Sequence, residues 1–168
     1  MIRVDSKAAG SSEDAWLIVS DVGAYGLVVT ALGTPVALCD WEGLGGAALS
    51  VGVAGGITLI GKVSIDEERP DNSGNDSFPS GHTALSFSSA TTLYRRYGWQ
   101  AGIPAYTVAT LTGSARVAGR KHYVWDVVAG AAIGIGSGWL FTEPINDKVR
   151  MVPWGNTKGG GAMVSVAW

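Results

Sequence analysis

Residues 22–39 and 43–61 carry no Asp, Glu, Lys or Arg, and only Asp40-Trp41-Glu42 separates them. Each run is close to the roughly 20 residues that a helix needs to cross a bilayer. Both are rich in Gly, Ala, Ser and Thr, the small residues that let helices approach closely where lipid is the solvent. Glycine costs a water-exposed helix about 1 kcal/mol per site, so helices of this composition depend on packing or lipid. Buried strands would be shorter and bounded by turn signals, which neither run has. Pro35 sits where the first helix should kink or end.

Further elements follow in order. Residues 1–14 read as a loosely docked tail in which Ser11, Ser12 or Asp14 would cap the next helix. Residues 62–79 form a polar loop with a bend at Arg69-Pro70. A third helix spans about 80–96, with Pro79 near its first turn. A fourth spans 99–115, a short basic segment covers 116–122, and a fifth helix runs over 123–142. The β-prone runs 149–152 and 162–168 predict a small hairpin. The expected organisation is a tail (1–14), a helical domain (15–142) and a C-terminal extension (143–168). The fold class is all-α, a five-helix antiparallel bundle with a short C-terminal β-hairpin. Alternating helices would place the N-terminus, the 62–79 loop and the 115–122 segment at one end. Every candidate site residue falls at that end.

Composition narrows the environment. Charged residues make up 15% of the 168, against about 25% in an ordinary soluble domain. A formal net charge of −2 gives no footprint for nucleic acid. The 25 glycines and seven tryptophans lean toward a membrane, although a packed soluble bundle has similar usage. Trp16, Trp41, Trp99, Trp125 and Trp139 lie near the ends of apolar stretches, where interface belts form. Cys39 is the sole cysteine. It allows no internal disulfide or cysteine-based metal cluster and is expected to be a buried small hydrophobe.

The polar residues between these stretches suggest chemistry. Lys62, Arg69 and Arg116 could present three positive charges to one phosphate-like anion. Ser80, Gly81 and the amides near His82 fall where a helix begins, and free N–H groups favour an anion there. His122 and Asp126 are four residues apart and share a helix face. A carboxylate so placed can hold imidazole Nδ1–H and leave Nε2 as a nucleophile, although a structural ion pair has the same spacing. His82, the other histidine, can protonate a leaving oxygen and later activate water. The two histidines with Asp126 would also suit a metal, but three neighbouring cations would repel it.

These three segments resemble the signature of the type 2 phosphatidic acid phosphatase and vanadium haloperoxidase superfamily. Lys62 with Arg69-Pro70 matches its first motif, and Pro79-Ser80-Gly81-His82 its second. Arg116, His122 and Asp126 match its third, with Ala115 where the family often has serine and Ser114 one place earlier. The resemblance covers about residues 43–142, and the five helices resemble the family core less one N-terminal helix. It implies that His122 attacks phosphorus to form a phosphohistidine, that Asp126 orients it, and that His82 is the general acid. Lys62, Arg69, Ser80, Gly81 and Arg116 would bind the phosphoryl oxygens, with no metal or other cofactor. Family members in membranes act on lipid phosphates such as phosphatidic acid, phosphatidylglycerol phosphate, polyprenyl pyrophosphate or lipid A. The expected function is therefore a lipid phosphatase of the bacterial membrane or envelope, with a phosphorylated lipid and the bilayer as partners. A soluble broad-specificity acid phosphatase, a haloperoxidase and a non-catalytic envelope protein are the alternatives.

Overall fold

The computed structural model of the chain describes the backbone of residues 6–145, 149–156 and 159–166, and side chains over 12–145. Five helices follow one another: α1 (Ser6–Ala37), α2 (Trp41–Ser64), α3 (Gly81–Tyr97), α4 (Trp99–Ala118) and α5 (Val124–Phe141). This is the all-α bundle that the sequence predicts. One boundary needs correction. α1 begins at Ser6, so Ser11, Ser12 and Asp14 lie inside the helix and do not cap it. Residues 6–14 contain no proline and a single glycine, so nothing local stops the helix. The cap found at the next helix is Asp40, whose Oδ1 accepts from Gly43 N of α2 at 3.0 Å.

α3 packs against each of the other four helices. Its buried face is built of hydroxyls: Thr83, Ser86, Ser88, Ser89, Thr91 and Thr92. Two return their protons to the helix's own carbonyls, Ser86 to His82 O (2.7 Å) and Thr91 to Phe87 O (2.7 Å), while Ser88 and Ser89 have no hydrogen-bond partner. The buried apolar residues are mostly alanines, with Leu27 and Leu93 the larger exceptions. Large apolar side chains point outward instead: Ile18, Val22, Val29, Leu59, Ile60 and Leu140 are all more than 60% exposed. Small inside and large outside reverses the pattern of a water-soluble bundle and suits lipid as the solvent. Three helical segments, Ser12–Ala37, Trp41–Ser64 and Val124–Phe141, are long and apolar enough to cross a membrane. Antiparallel packing carries α3 and α4 across with them. The five tryptophans named above are exposed. Trp16 and Trp125 lie toward one end of the bundle, and Trp41, Trp99 and Trp139 toward the other. That arrangement favours interface belts over core packing. Cys39 is likewise exposed, contrary to the buried position expected for it. It takes a left-handed φ of 55° in the turn joining α1 to α2, beyond the last packed residue of α1.

The closest approach in the bundle is between α3 and α5. A Cβ on Gly130 would sit 2.5 Å from Ser80 O, one on Gly134 would sit 2.7 Å from Ser88 N and closer still to Ala84 O, and one on Gly138 would sit 2.5 Å from Thr91 Cβ. Glycine at every fourth position thus lays a groove along α5 that receives the backbone of α3. Gly134→Ala is expected to force the helices apart and to cost about 1–3 kcal/mol by overpacking. Thermal melting of the purified protein checks this, with Gly136→Ala, which meets nothing within 4 Å, as the control expected to melt like the parent.

Beyond α5, β1 (Val149–Asn156) and β2 (Gly159–Val166) pair antiparallel. The turn that a hairpin needs falls at 157–158, outside the described residues, as do 167–168.

Candidate active site

The two loops at one end of the bundle are tied together. Lys121 Nζ reaches Asp71 Oδ2 at 2.5 Å and Ser73 Oγ at 3.1 Å, and Arg120 Nη2 donates to Pro70 O at 3.1 Å. Burial alone would push the Asp71 carboxyl up, but Lys121 and Ser73 outweigh it and hold it at about 2. Arg120 adopts a φ of 53°, which turns the chain sharply after α4. The amides of Lys121 and His122 both donate to Arg116 O, at 3.1 and 3.3 Å. The turn therefore fixes His122 relative to Arg116.

His122 is 2% exposed. Its Nδ1 lies 3.5 Å from Asp126 Oδ2, longer than a hydrogen bond. Catalytic contacts often tighten only when substrate binds. Asp126 is fully buried in the first turn of α5. Its Oδ2 accepts from Ser77 Oγ at 2.5 Å and Tyr123 N at 2.9 Å, and its backbone carbonyl accepts from Ser80 N at 3.1 Å. Burial pushes the His122 imidazole down to about 3, and the charges of Arg116, Lys62 and Arg69 push the same way. Three cations from three elements thus act on one neutral imidazole.

Each cation has an internal partner. Lys62, in the last turn of α2, donates to Asp76 O and stands 3.5 Å from Asp76 Oδ2. Arg69 holds Asp76 in a fork, Nε to Oδ1 at 2.8 Å and Nη2 to Oδ2 at 2.9 Å. Those bonds keep the Asp76 carboxyl below its ordinary range despite burial. Arg116 is 6% exposed, donates to Ser20 Oγ at 3.3 Å, lies 3.8 Å from Asp21 Oδ1, and leaves its buried Nε without a partner. His82 Nε2 lies 2.9 Å from Asp21 Oδ1. A Cβ on Gly81 would meet Lys62 Cε at 3.9 Å, so the start of α3 lies over the lysine stem.

The structure thus brings Lys62, Arg69, Gly81, His82, Arg116, His122 and Asp126 to one end of the bundle. Ser80 is also there, but its buried hydroxyl pairs with Thr83 Oγ1 at 2.9 Å and would have to rotate to reach an anion. Ala115 is buried while Ser114 is exposed, so Ser114 does not take the place of a serine at 115.

Sequence reasoning passed over four residues here. Asp21 and Asp76 are the carboxylates just described, and Ser77 is the donor to Asp126. The fourth is Glu67. Its Oε1 accepts from Trp125 Nε1 at 2.8 Å, and its carboxyl borders that of Asp126. Glu67 Oε2 and Asp126 Oδ1 are both buried without a hydrogen-bond partner. Burial pushes the Glu67 carboxyl up, the Trp125 indole opposes this, and Asp126 adds to it. Of the four, only Asp21 left a signal in the sequence, as a lone charge inside an apolar run.

A bundle with an apolar exterior and a buried imidazole–carboxylate pair beside converging cations defines the class: a helical membrane protein with a cluster of cations at one end. The chain belongs to the PAP2 superfamily, whose model matches residues 43–150. It is 41% identical over 91 residues to the lipid A 1-phosphatase of Porphyromonas gingivalis, covering 52% of this chain and 20% of that protein. It is 32% identical over 128 residues to the lipid A 4'-phosphatase of Helicobacter pylori, covering 70% of this chain and 65% of that one. The chain therefore spans less than two thirds of the length of either relative. It shares its fold with the crystal structure of Aquifex aeolicus LpxE, at a TM-score of 0.66 and 22% identity, over 76% of this chain and 83% of that one.

Proposed function

We propose that the chain is a metal-independent lipid-phosphate phosphatase working through a phosphohistidine at His122. The observation that carries this reading is the electrostatic convergence of Arg116, Lys62 and Arg69 on a buried neutral His122. A neutral imidazole has its lone pair available, and the cations favour the charge that builds on the phosphoryl oxygens. His122 Nε2 attacks phosphorus as the bond to the leaving oxygen breaks, and His82 gives that oxygen a proton. The imidazolium formed at His122 is stabilised by Asp126. In the second half, His82 takes a proton from water, the hydroxide attacks phosphorus, and phosphate leaves with His122 neutral again.

An exposed apolar belt, with these residues gathered at one end of the bundle, supports a lipid headgroup as the group that reaches them. The two lipid A phosphatases to which the chain is similar make a lipid A phosphate the first substrate to try. Arg95 and Arg96 at the opposite end point that end to the cytoplasm and turn the site outward. The test is phosphate release by the detergent-purified protein, with a chelator present, from a panel of lipid A phosphates, phosphatidylglycerol phosphate, phosphatidic acid and polyprenyl pyrophosphate. Release from at least one lipid phosphate is expected. No release from any of them sinks the reading.

A further inference from the structure

α1 lies outside the span matched by the family, yet it forms one wall of the site. Ser20 accepts from Arg116, Asp21 faces His82, and Tyr25 sets its ring edge-on to the His82 imidazole, with centroids 5.6 Å apart and planes at 69°. The helix reaches this position because Gly23 packs directly onto Thr112 of α4. An aspartate inside a membrane helix is expensive and is kept where it has a partner on the protein side. Here the partner is the second histidine.

We infer that Asp21 is a positioning residue for the leaving-group acid: its carboxylate, 2.9 Å from His82 Nε2, orients the His82 ring into the site and sets a negative charge beside the nitrogen that carries the proton. This rests on the function proposed above and adds a residue to it. The charged groups that act on His82 are Asp21 from α1, Lys62 from α2 and Arg116 from α4. Asp21 is the one negative charge among them, set against the two cations at the ring. The contact lacks the alignment of a hydrogen bond. Asp21 therefore supplies its charge without capturing the Nε2 proton, which stays free to pass to the leaving oxygen as the P–O bond breaks. Asp21 itself neither gains nor loses a proton in that step. Tyr25 fixes the plane of the ring against which the transfer occurs.

The role has a signature that simple structural damage lacks. A lipid alkoxide needs a proton to leave, whereas nitrophenolate leaves without one. Asp21→Asn in the full chain is expected to lower kcat/KM for a lipid phosphate by about 10- to 100-fold, a share of the range open to general acid catalysis. For p-nitrophenyl phosphate the loss should be about threefold or less. Asp21→Glu should recover part of the lipid-phosphate rate. His82→Ala is the reference and should show the same selectivity with a larger loss. If His82→Ala is selective but Asp21→Asn slows both substrates alike or neither, the role of Asp21 is refuted and the acid assignment stands. If His82→Ala shows no dependence on leaving group, the acid assignment fails and Asp21 falls with it.

Discussion

His122→Ala is expected to lower phosphate release from a lipid phosphate on the order of 10⁴-fold or more, because it removes the atom that attacks phosphorus. The fold should survive. The side chain has no hydrogen-bond partner at Nδ1, and the turn that carries it is held through its backbone, by Arg116 O. A second measurement reports on the environment of His122 without any substrate. Burial and three cations hold the folded imidazole at about 3, whereas in the unfolded chain it titrates near 6.5. Between those values the unfolded state binds the proton and the folded state does not, so stability falls as pH drops from about 6.5 toward 3. Denaturation at pH 7 and pH 4.5 should show that loss in the parent, and less of it in His122→Ala. Equal phosphate release by parent and variant would remove His122 as nucleophile, and an unchanged pH slope would remove the buried neutral imidazole.

The residues of this end were legible where they sit in a fixed spacing. His122 and Asp126 are four residues apart; His122 stands two residues ahead of α5 and not on the shared helix face expected, yet the spacing still brings Nδ1 3.5 Å from the carboxylate. The end at which the motifs meet was legible too, because α2 to α5 alternate in direction along the bundle. What escaped reading were partners set by tertiary packing. Asp21 is nearly a hundred residues from Arg116, and only the packing of α1 on α4 at Gly23 and Thr112 brings it to the site. Asp76 stood in a run of turn formers, and nothing there showed that it would close a fork on Arg69. The hydroxyl run of α3 gave no warning that it would be the central helix. Ser86 and Thr91 bond to the carbonyls one turn back, Thr83 and Thr92 pair with the hydroxyls of Ser80 and Thr142, and the small volume of the run admits the glycine groove of α5. Cys39 was misread because burial is usual for cysteine as a residue type, whereas a left-handed turn at the end of α1 leaves it in the open.

The largest expected loss of stability lies at the other end of the bundle. Asp40 is 12% exposed in its side chain, and Arg96 is 6%. Arg96 Nε donates to Asp40 Oδ2 at 2.8 Å, its Nη2 binds Asp40 Oδ1, and its Nη1 reaches Glu143 O at 3.1 Å. Tyr97 donates to Asp40 Oδ2 at 3.1 Å. The hydrogen bonds from Arg96 hold the Asp40 carboxyl below its ordinary range against the opposing effect of burial. One carboxylate thus joins the α1–α2 turn, the end of α3 and, through Arg96, the chain leaving α5. Asp40→Ala leaves the buried guanidinium with only the exposed Glu42 carboxylate, 3.3 Å from Nη2, as an ionic partner, a loss of about 3–5 kcal/mol for a broken buried pair, and strips the α2 cap, worth about 1 kcal/mol more. At about 2–4 °C per kcal/mol for a chain of this size, the melting temperature should fall by roughly 10 °C or more. Replacing both charges, Asp40→Asn with Arg96→Met, should recover part of that loss. The orphaned charge is then gone, while the asparagine side-chain oxygen can still accept from Gly43 N. The site lies at the opposite end, so kcat/KM per folded molecule should change little at low temperature. A melting temperature within about 2 °C of the parent for Asp40→Ala would show that water reaches Arg96 and that the three chain segments are held together by helix packing alone.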